Sequence, residues 1–287
     1  MSGPIYNRSI ILPNKPMKSC LRYPGGKTRA IKTILPIIRQ QFGEINKLCS
    51  PFCGGCSIEF AINPGTIIIN DLFEPLYNFW LQVRDNRQSL IDIIKRYKNN
   101  EITKERFIRM RSQVMDRSID PIERGAMYFI INRCSFSGAT LSGGFSNEAA
   151  TKRFTDSSIN AIAKIDLSKY TITNNDFTVC IDSTPNNYFI FADPPYYLEK
   201  GSRLYGNNGD LHESFDHLSF FQYITGFEGN WLITYNDCPF IRELYKDYEI
   251  LTAEWAYCMN KSKESSEIII LSKRRADAID ESPKLIK

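Results

Sequence analysis

Apolar residues in this chain fall into two alternating patterns. Short runs of strand-favouring residues, such as KLCSPF, TIIIND and YFIFA, alternate with longer stretches in which apolar residues recur every three or four positions. The first pattern suits buried strands and the second suits helices that bury one face. Seven strands are predicted, at residues 47–52, 66–71, 170–176, 188–192, 230–235, 248–255 and 267–271. Nine helices are predicted, at residues 28–41, 57–62, 75–84, 88–97, 104–115, 121–132, 157–165, 215–225 and 239–245. This alternation places the chain in the α/β class.

An early pair of strands is separated from a late group of five by a segment that reads as helical and then as rich in glycine and serine. Such a segment between two halves of a sheet is most simply an inserted lobe. Residues 84–169 are therefore assigned to an insert, residues 1–83 and 170–272 to the sheet domain, and the polar residues 273–287 to an exposed tail.

With 287 residues, 43% of them hydrophobic, the chain can bury a sizeable core. Its net charge of +4, from 36 basic and 32 acidic residues, permits a polyanionic partner without requiring one. No apolar stretch approaches the ~20 residues that span a bilayer, and the N-terminus lacks a secretory pattern. A cytoplasmic location without a membrane partner is expected. The eight cysteines lie mostly inside apolar runs or beside glycine, as reduced small hydrophobes do, so no disulfide framework is expected.

The most specific chemistry sits where YFIFA ends, at Asp193, Pro194, Pro195 and Tyr196. At average usage of ~5% for Asp and Pro and ~3% for Tyr, DPPY arises by chance in roughly one chain in a thousand of this length. A strand that stops at two prolines delivers a carboxylate, a backbone carbonyl and an aromatic face to the carboxyl edge of a sheet, where α/β folds bind ligands. Those groups suit a planar ring that bears an amine. The carboxylate and the carbonyl each accept one amine hydrogen, and Tyr196 stacks on the ring.

A second signal lies in the first sheet unit. KLCSPF runs into Cys53-Gly54-Gly55-Cys56 and a helix, an order that brings a ligand close to bare backbone. The next strand ends in Asp71, where a nucleoside-binding unit places the acid that holds ribose hydroxyls. Together with DPPY, these features read as a nucleoside site facing an amine site.

From about residue 21 to residue 271 the chain resembles the Dam-like α-group of DNA adenine-N6 methyltransferases. RYPGGK resembles that family's aromatic-x-GGK motif, SPFCGGCSIEF its cofactor loop, and Ile69-Asn70-Asp71 with Leu76-Tyr77-Asn78 its ribose-binding stretch. Asn175-Asp176-Phe177 is similar to its DF motif, DPPY to its catalytic motif, and FDHL, TYND and SEIII to its later core segments. The order of cofactor motifs, insert and catalytic motif is the α arrangement. Two positions depart from the pattern: Cys56 replaces a glycine of the loop, and Ser50 stands where an acid often precedes Pro-Phe.

The resemblance implies a Rossmann-like seven-stranded methyltransferase sheet with helices on both faces, and a mostly helical target-recognition domain as the insert. It implies S-adenosyl-L-methionine as cofactor, held by Tyr23, Gly25, Gly26, Lys27, Pro51, Phe52, Cys53, Gly54, Gly55, Cys56, Asp71, Asp176, Phe177 and Asp193. Asp193, Pro194, Pro195 and Tyr196 would be catalytic, and Asn132, Arg133, Ser137, Lys152 and Arg153 would contact double-stranded DNA. The implied reaction is site-specific methylation of a flipped adenine. It would occur in a bacterial or phage-infected cell, either beside a cognate restriction endonuclease or alone.

Three alternatives accompany this reading. One keeps the chemistry but changes the acceptor to RNA or another amine, and a second is a DNA-binding protein without transfer activity. The third comes from the C-x3-C-x2-C spacing of Cys49, Cys53 and Cys56, which resembles the cluster ligands of radical S-adenosylmethionine enzymes. It leaves DPPY and Asp71 unexplained.

Overall fold

The computed structural model describes residues 17–23, 25–197, 215–254 and 266–274. Pro24, His212, Cys258 and residues 275–287 of the expected tail lie outside them. The first half comprises α1 (Ile31–Phe42), β1 (Lys47–Ser50), α2 (Ser57–Ile62), β2 (Thr66–Asn70), α3 (Glu74–Asp85), α4 (Arg87–Lys98), α5 (Lys104–Gln113) and α6 (Pro121–Cys134). The second comprises α7 (Asn147–Arg153), α8 (Asp156–Ile162), β3 (Tyr170–Thr173), α9 (Phe177–Asp182), β4 (Phe189–Ala192), α10 (His217–Gly226), β5 (Trp231–Asn236), α11 (Pro239–Leu244), β6 (Tyr248–Glu254) and β7 (Ser266–Arg274).

The strands form one mixed sheet in the order β3-β2-β1-β4-β5-β7-β6, with β7 antiparallel to both neighbours and the other pairings parallel. Strand alternation divides the apolar side chains between two faces. Leu48, Ile67, Ile69 and Phe191 join a cluster with α1, α2, α3 and α6, whereas Cys49, Ile190, Ile233 and Ile270 join another with α9, α10 and α11. β4 lies at the centre and is buried at every position, as a parallel strand covered on both faces must be. The expected α/β sheet with helices on both faces is thus present.

The insert is organised by α6. Asp120 caps it by accepting from the N–H groups of Ile122 and Glu123, and Pro121 occupies the first turn, where its missing N–H costs nothing. From Arg124 onward almost every residue is buried, so this helix has no solvent face beyond its first turn. Arg124 makes a two-pronged bond to Glu74 of α3, and Phe129 stacks on Phe79 at 5.9 Å. One apolar cluster therefore runs unbroken from the sheet through α3 into the insert, and the boundary expected at residue 84 falls in the last turn of α3.

Element ends shift for local reasons. β1 stops at Ser50 because Pro51 has no N–H to offer a ladder. β3 stops at Thr173, three residues before its predicted end, because the N–H of Asn175 turns to the side chain of Asn70. Asp176 then caps α9, a helix the sequence pattern does not predict. β7 reaches Arg274, which moves residues 273 and 274 from the expected tail into the sheet, because the strand pairs with β5 on one side and β6 on the other. Among the described residues no helix is long and apolar enough to cross a membrane.

Candidate active site

The parallel strands β1, β2 and β4 deliver their carboxyl ends to one edge of the sheet. After β1, the chain turns sharply through Gly54 (φ 47°) and Cys56 (φ 55°), both left-handed. The position where a glycine was expected thus does need positive φ, and the buried Cys56 accepts it. Both polar backbone groups of Gly54 are used: its N–H donates to Asp71 Oδ2 at 3.1 Å, and its carbonyl accepts from the Trp80 indole at 2.9 Å. Asp71 also accepts from the N–H of Phe73 at 3.0 Å. Burial pushes its carboxyl up to about 6, against the opposing pull of those two N–H donors.

The segment from Tyr23 to Lys27 lies across this loop. A Cβ at Gly54 would sit 3.0 Å from the Tyr23 ring, and one at Gly55 would sit 3.1 Å from the Tyr23 Cβ, so the glycines admit the aromatic ring. Gly26 closes the turn by donating its N–H to the Tyr23 carbonyl at 2.9 Å. From this turn the buried Lys27 ammonium reaches the end of β4. It lies 2.8 Å from Asp193 Oδ2, 2.8 Å from the Tyr196 hydroxyl and 3.1 Å from the Gly25 carbonyl, with Glu267 of β7 at 3.7 Å. Lys27, expected only as a cofactor contact, is thus also a direct partner of the DPPY carboxylate and tyrosine.

The other Asp193 oxygen, Oδ1, accepts from the Thr234 hydroxyl at 2.6 Å. Two residues on, Asn236 donates to the Tyr197 carbonyl at 2.9 Å, and Tyr197 stacks on Phe240 at 4.4 Å. The TYND segment of β5 therefore holds the DPPY segment from beneath. Pro194 is buried and Pro195 half-buried. His217 is buried too, with Nδ1 2.9 Å from the Tyr235 hydroxyl.

Asn70 is buried at the end of β2 and ties together the loops that follow three strands. It donates to the carbonyls of Pro51 and Asn175 and accepts from Thr173 Oγ1 and the N–H of Asn175. Asp176 is exposed and caps α9 with one oxygen. Phe177 and Phe52 meet at 5.9 Å, and Phe215 packs on both. The residues expected to hold a cofactor therefore form two groups at one sheet edge, Tyr23 to Lys27 with the glycine loop and Asp71, and Phe52 with Phe177.

Cys49 does not join Cys53 and Cys56. It faces the opposite side of the sheet, with its sulfur 3.6 Å from Cys180, so the three thiols of the C-x3-C-x2-C spacing do not converge. Burial pushes the Cys53 thiol up to about 11. The acid missing at Ser50 has a counterpart nearby: the Ser50 hydroxyl donates to Glu59 Oε1 of α2 at 2.6 Å, both residues being buried. Burial pushes the Glu59 carboxyl up to about 7, against the Ser50 hydrogen bond, and the neighbouring Asp193 charge raises it further.

In the insert, the expected DNA contacts separate. Asn132 is wholly buried, accepts from the N–H of Arg22 at 2.9 Å and donates to the Arg22 and Gly138 carbonyls. It clasps the N-terminal segment to α6, which corrects the expectation that it reaches DNA. Arg133 is half-buried, donating to the carbonyls of Arg153 and Cys20, and burial brings its guanidinium down to about 10. Lys152 and Arg153 are exposed on α7, a helix capped by Ser146 where a loop was expected, and Lys152 pairs with Glu148. Ser137 is half-buried at φ 55°. Beside it Phe136 is 69% exposed, the most exposed large apolar side chain among the described residues.

Comparison with known proteins gives the chain a family. A family model described as D12 class N6 adenine-specific DNA methyltransferase matches residues 23–259. Over 262 residues the chain is 26% identical to the type II methyltransferase M1.LlaDCHI of Lactococcus lactis subsp. cremoris, an alignment that covers 85% of this chain and 90% of that protein. It is 25% identical over 240 residues to the DNA N-6-adenine-methyltransferase of Escherichia phage P1, covering 80% of this chain and 31% of that one. To the modification methylase StsI of Streptococcus sanguinis it is 21% identical over 232 residues, with 73% and 33% covered.

Proposed function

The chain belongs to the D12 class of N6 adenine-specific DNA methyltransferases, and from that premise we propose that it methylates N6 of a flipped adenine at a specific site in duplex DNA, with S-adenosyl-L-methionine as donor. The observation that carries this reading is the meeting of Lys27, Asp193, Tyr196 and Thr234 beside the glycine loop. The residues of this edge fit the donor. Gly54 and Gly55 carry no side chains at the strand end, Asp71 keeps lone pairs for ribose hydroxyls beside its two backbone N–H bonds, and the half-buried Phe52 and Phe177 supply aromatic surface for an adenine. When bound, the donor supplies a sulfonium-activated methyl group.

The remaining work falls to the protein. The N6 lone pair is delocalised into the ring and is a poor nucleophile. Asp193 and a carbonyl of the Pro-Pro segment accept its two hydrogens, favour a pyramidal nitrogen, and Asp193 passes the released proton to solvent. Positioning and prearranged charge supply most of the acceleration, several kcal/mol each. Extruding the adenine costs a few kcal/mol, of which Tyr196 stacking returns ~1–3 kcal/mol.

On the insert, Lys152 and Arg153 meet phosphates, while Ser137 and Arg133 border the groove. Phe136, a ring held in solvent at the same loop, is available to stack on bases bared by flipping. Likeness to a type II methyltransferase and a modification methylase favours a cytoplasmic role beside a nuclease that reads the same site.

The test is expression in cells that lack adenine methylation, with modified bases read across the genome. The expected result is N6-methyladenine at one recurrent sequence with the wild-type protein and none with Asp193→Ala, which still binds the donor. Methylation by Asp193→Ala refutes the assignment.

A further inference from the structure

Asp193 has both oxygens engaged, Oδ1 by Thr234 and Oδ2 by Lys27. The target amine needs one of them, and the flexible lysine is the partner that can move. Its ammonium is not free to retreat into water, because the Lys27 side chain is only 4% exposed. A buried ammonium that leaves one carboxylate without meeting another is left as an uncompensated charge, which is costly. Glu267 provides it: 1% exposed and 3.7 Å from Lys27 Nζ, it lies opposite Asn236 in the β5–β7 register, beneath the segment that carries Asp193.

We propose that Glu267 is a positioning residue that receives the Lys27 ammonium when the target amine takes its place on Asp193 Oδ2. The movement is small. Closing from 3.7 Å to the ~2.8 Å of a charge-assisted hydrogen bond shifts the ammonium by about one ångström, within reach of a four-carbon stem. Lys27 then keeps a counter-charge throughout, and Asp193 keeps its own charge for the amine. The inference rests on the reading of Asp193 as the amine acceptor.

The test compares Glu267→Gln, Glu267→Asp and Asp193→Asn on duplex DNA that carries the methylated site. Glu267→Gln is expected to lower kcat by roughly 30- to 100-fold while donor affinity stays within about threefold, and Glu267→Asp, which retains the carboxylate, to recover most of that loss. Inactive Asp193→Asn together with wild-type kcat in Glu267→Gln overturns this inference and leaves the Asp193 reading standing; active Asp193→Asn overturns both. Equal losses of kcat and donor affinity in both Glu267 variants also overturn it, since they indicate a purely structural role. Independently of folding in any variant, a structure of the wild-type protein with donor analogue and flipped adenine is expected to show Lys27 Nζ nearer Glu267 than Asp193. Lys27 still on Asp193 Oδ2 in that complex refutes the proposal.

Discussion

Glu59→Gln is expected to stabilise this protein, and to do so more as the pH rises. Glu59 is 2% exposed, and its carboxyl is lifted from an ordinary 4.5 to about 7, chiefly by burial. A raised carboxyl means that the native state binds more protons than the unfolded chain between those values, so stability falls as pH rises through that window. No penalty exists well below pH 4.5, and it is complete above pH 7. At 1.36 kcal/mol per pH unit the full penalty is about 3 kcal/mol, of which only about 1 kcal/mol has developed by pH 5. Glutamine keeps an acceptor for the Ser50 hydroxyl and removes the ionisation. Urea unfolding of both proteins at pH 5 and pH 8 measures the difference directly. The variant is expected to lead by about 1 kcal/mol at the lower pH and by about 3 kcal/mol at the higher. An advantage that does not change between the two refutes the reasoning.

Three other outcomes are expected. Because burial brings Asp71 up to about 6 and only its ionised form accepts two hydroxyl hydrogens, donor affinity should fall as pH drops through 6, and Asp71→Asn should be weak and flat in a calorimetric pH series. Gly54→Ala combines a left-handed φ of 47° with a Cβ 3.0 Å from the Tyr23 ring; a stability loss of about 1–2 kcal/mol and at least tenfold weaker donor binding are expected by denaturation and titration. Asn132→Ala strands the part-buried N–H and carbonyl of Arg22 and should cost about 2–4 kcal/mol in unfolding experiments, with DNA affinity lost only in proportion to the unfolded fraction.

The sheet was legible because burial on both faces writes itself into a strand as a continuous apolar run, as in FIFA and TIIIN. DPPY and the glycine turn were legible because they break those runs with residues that have few other uses. α9 was not legible, since six residues are too few to show a helical period, and its cap, Asp176, also looks like a loop residue. Asn132 misled for a related reason: an asparagine beside an arginine reads as a polar pair, and only the fold shows that one points inward and the other along the surface. Thr234, Asn236 and Glu267 act across the sheet on residues 39 to 240 positions away, a relation that strand order creates and local sequence does not record.

The Asn132 clasp also ties the insert to the strand-end site. Arg22 is gripped at both its N–H and its carbonyl by α6, and five residues later the chain reaches the lysine beside Asp193. Held at both ends of one residue, the segment has its register fixed against α6, and the place from which Lys27 meets Asp193 is fixed with it.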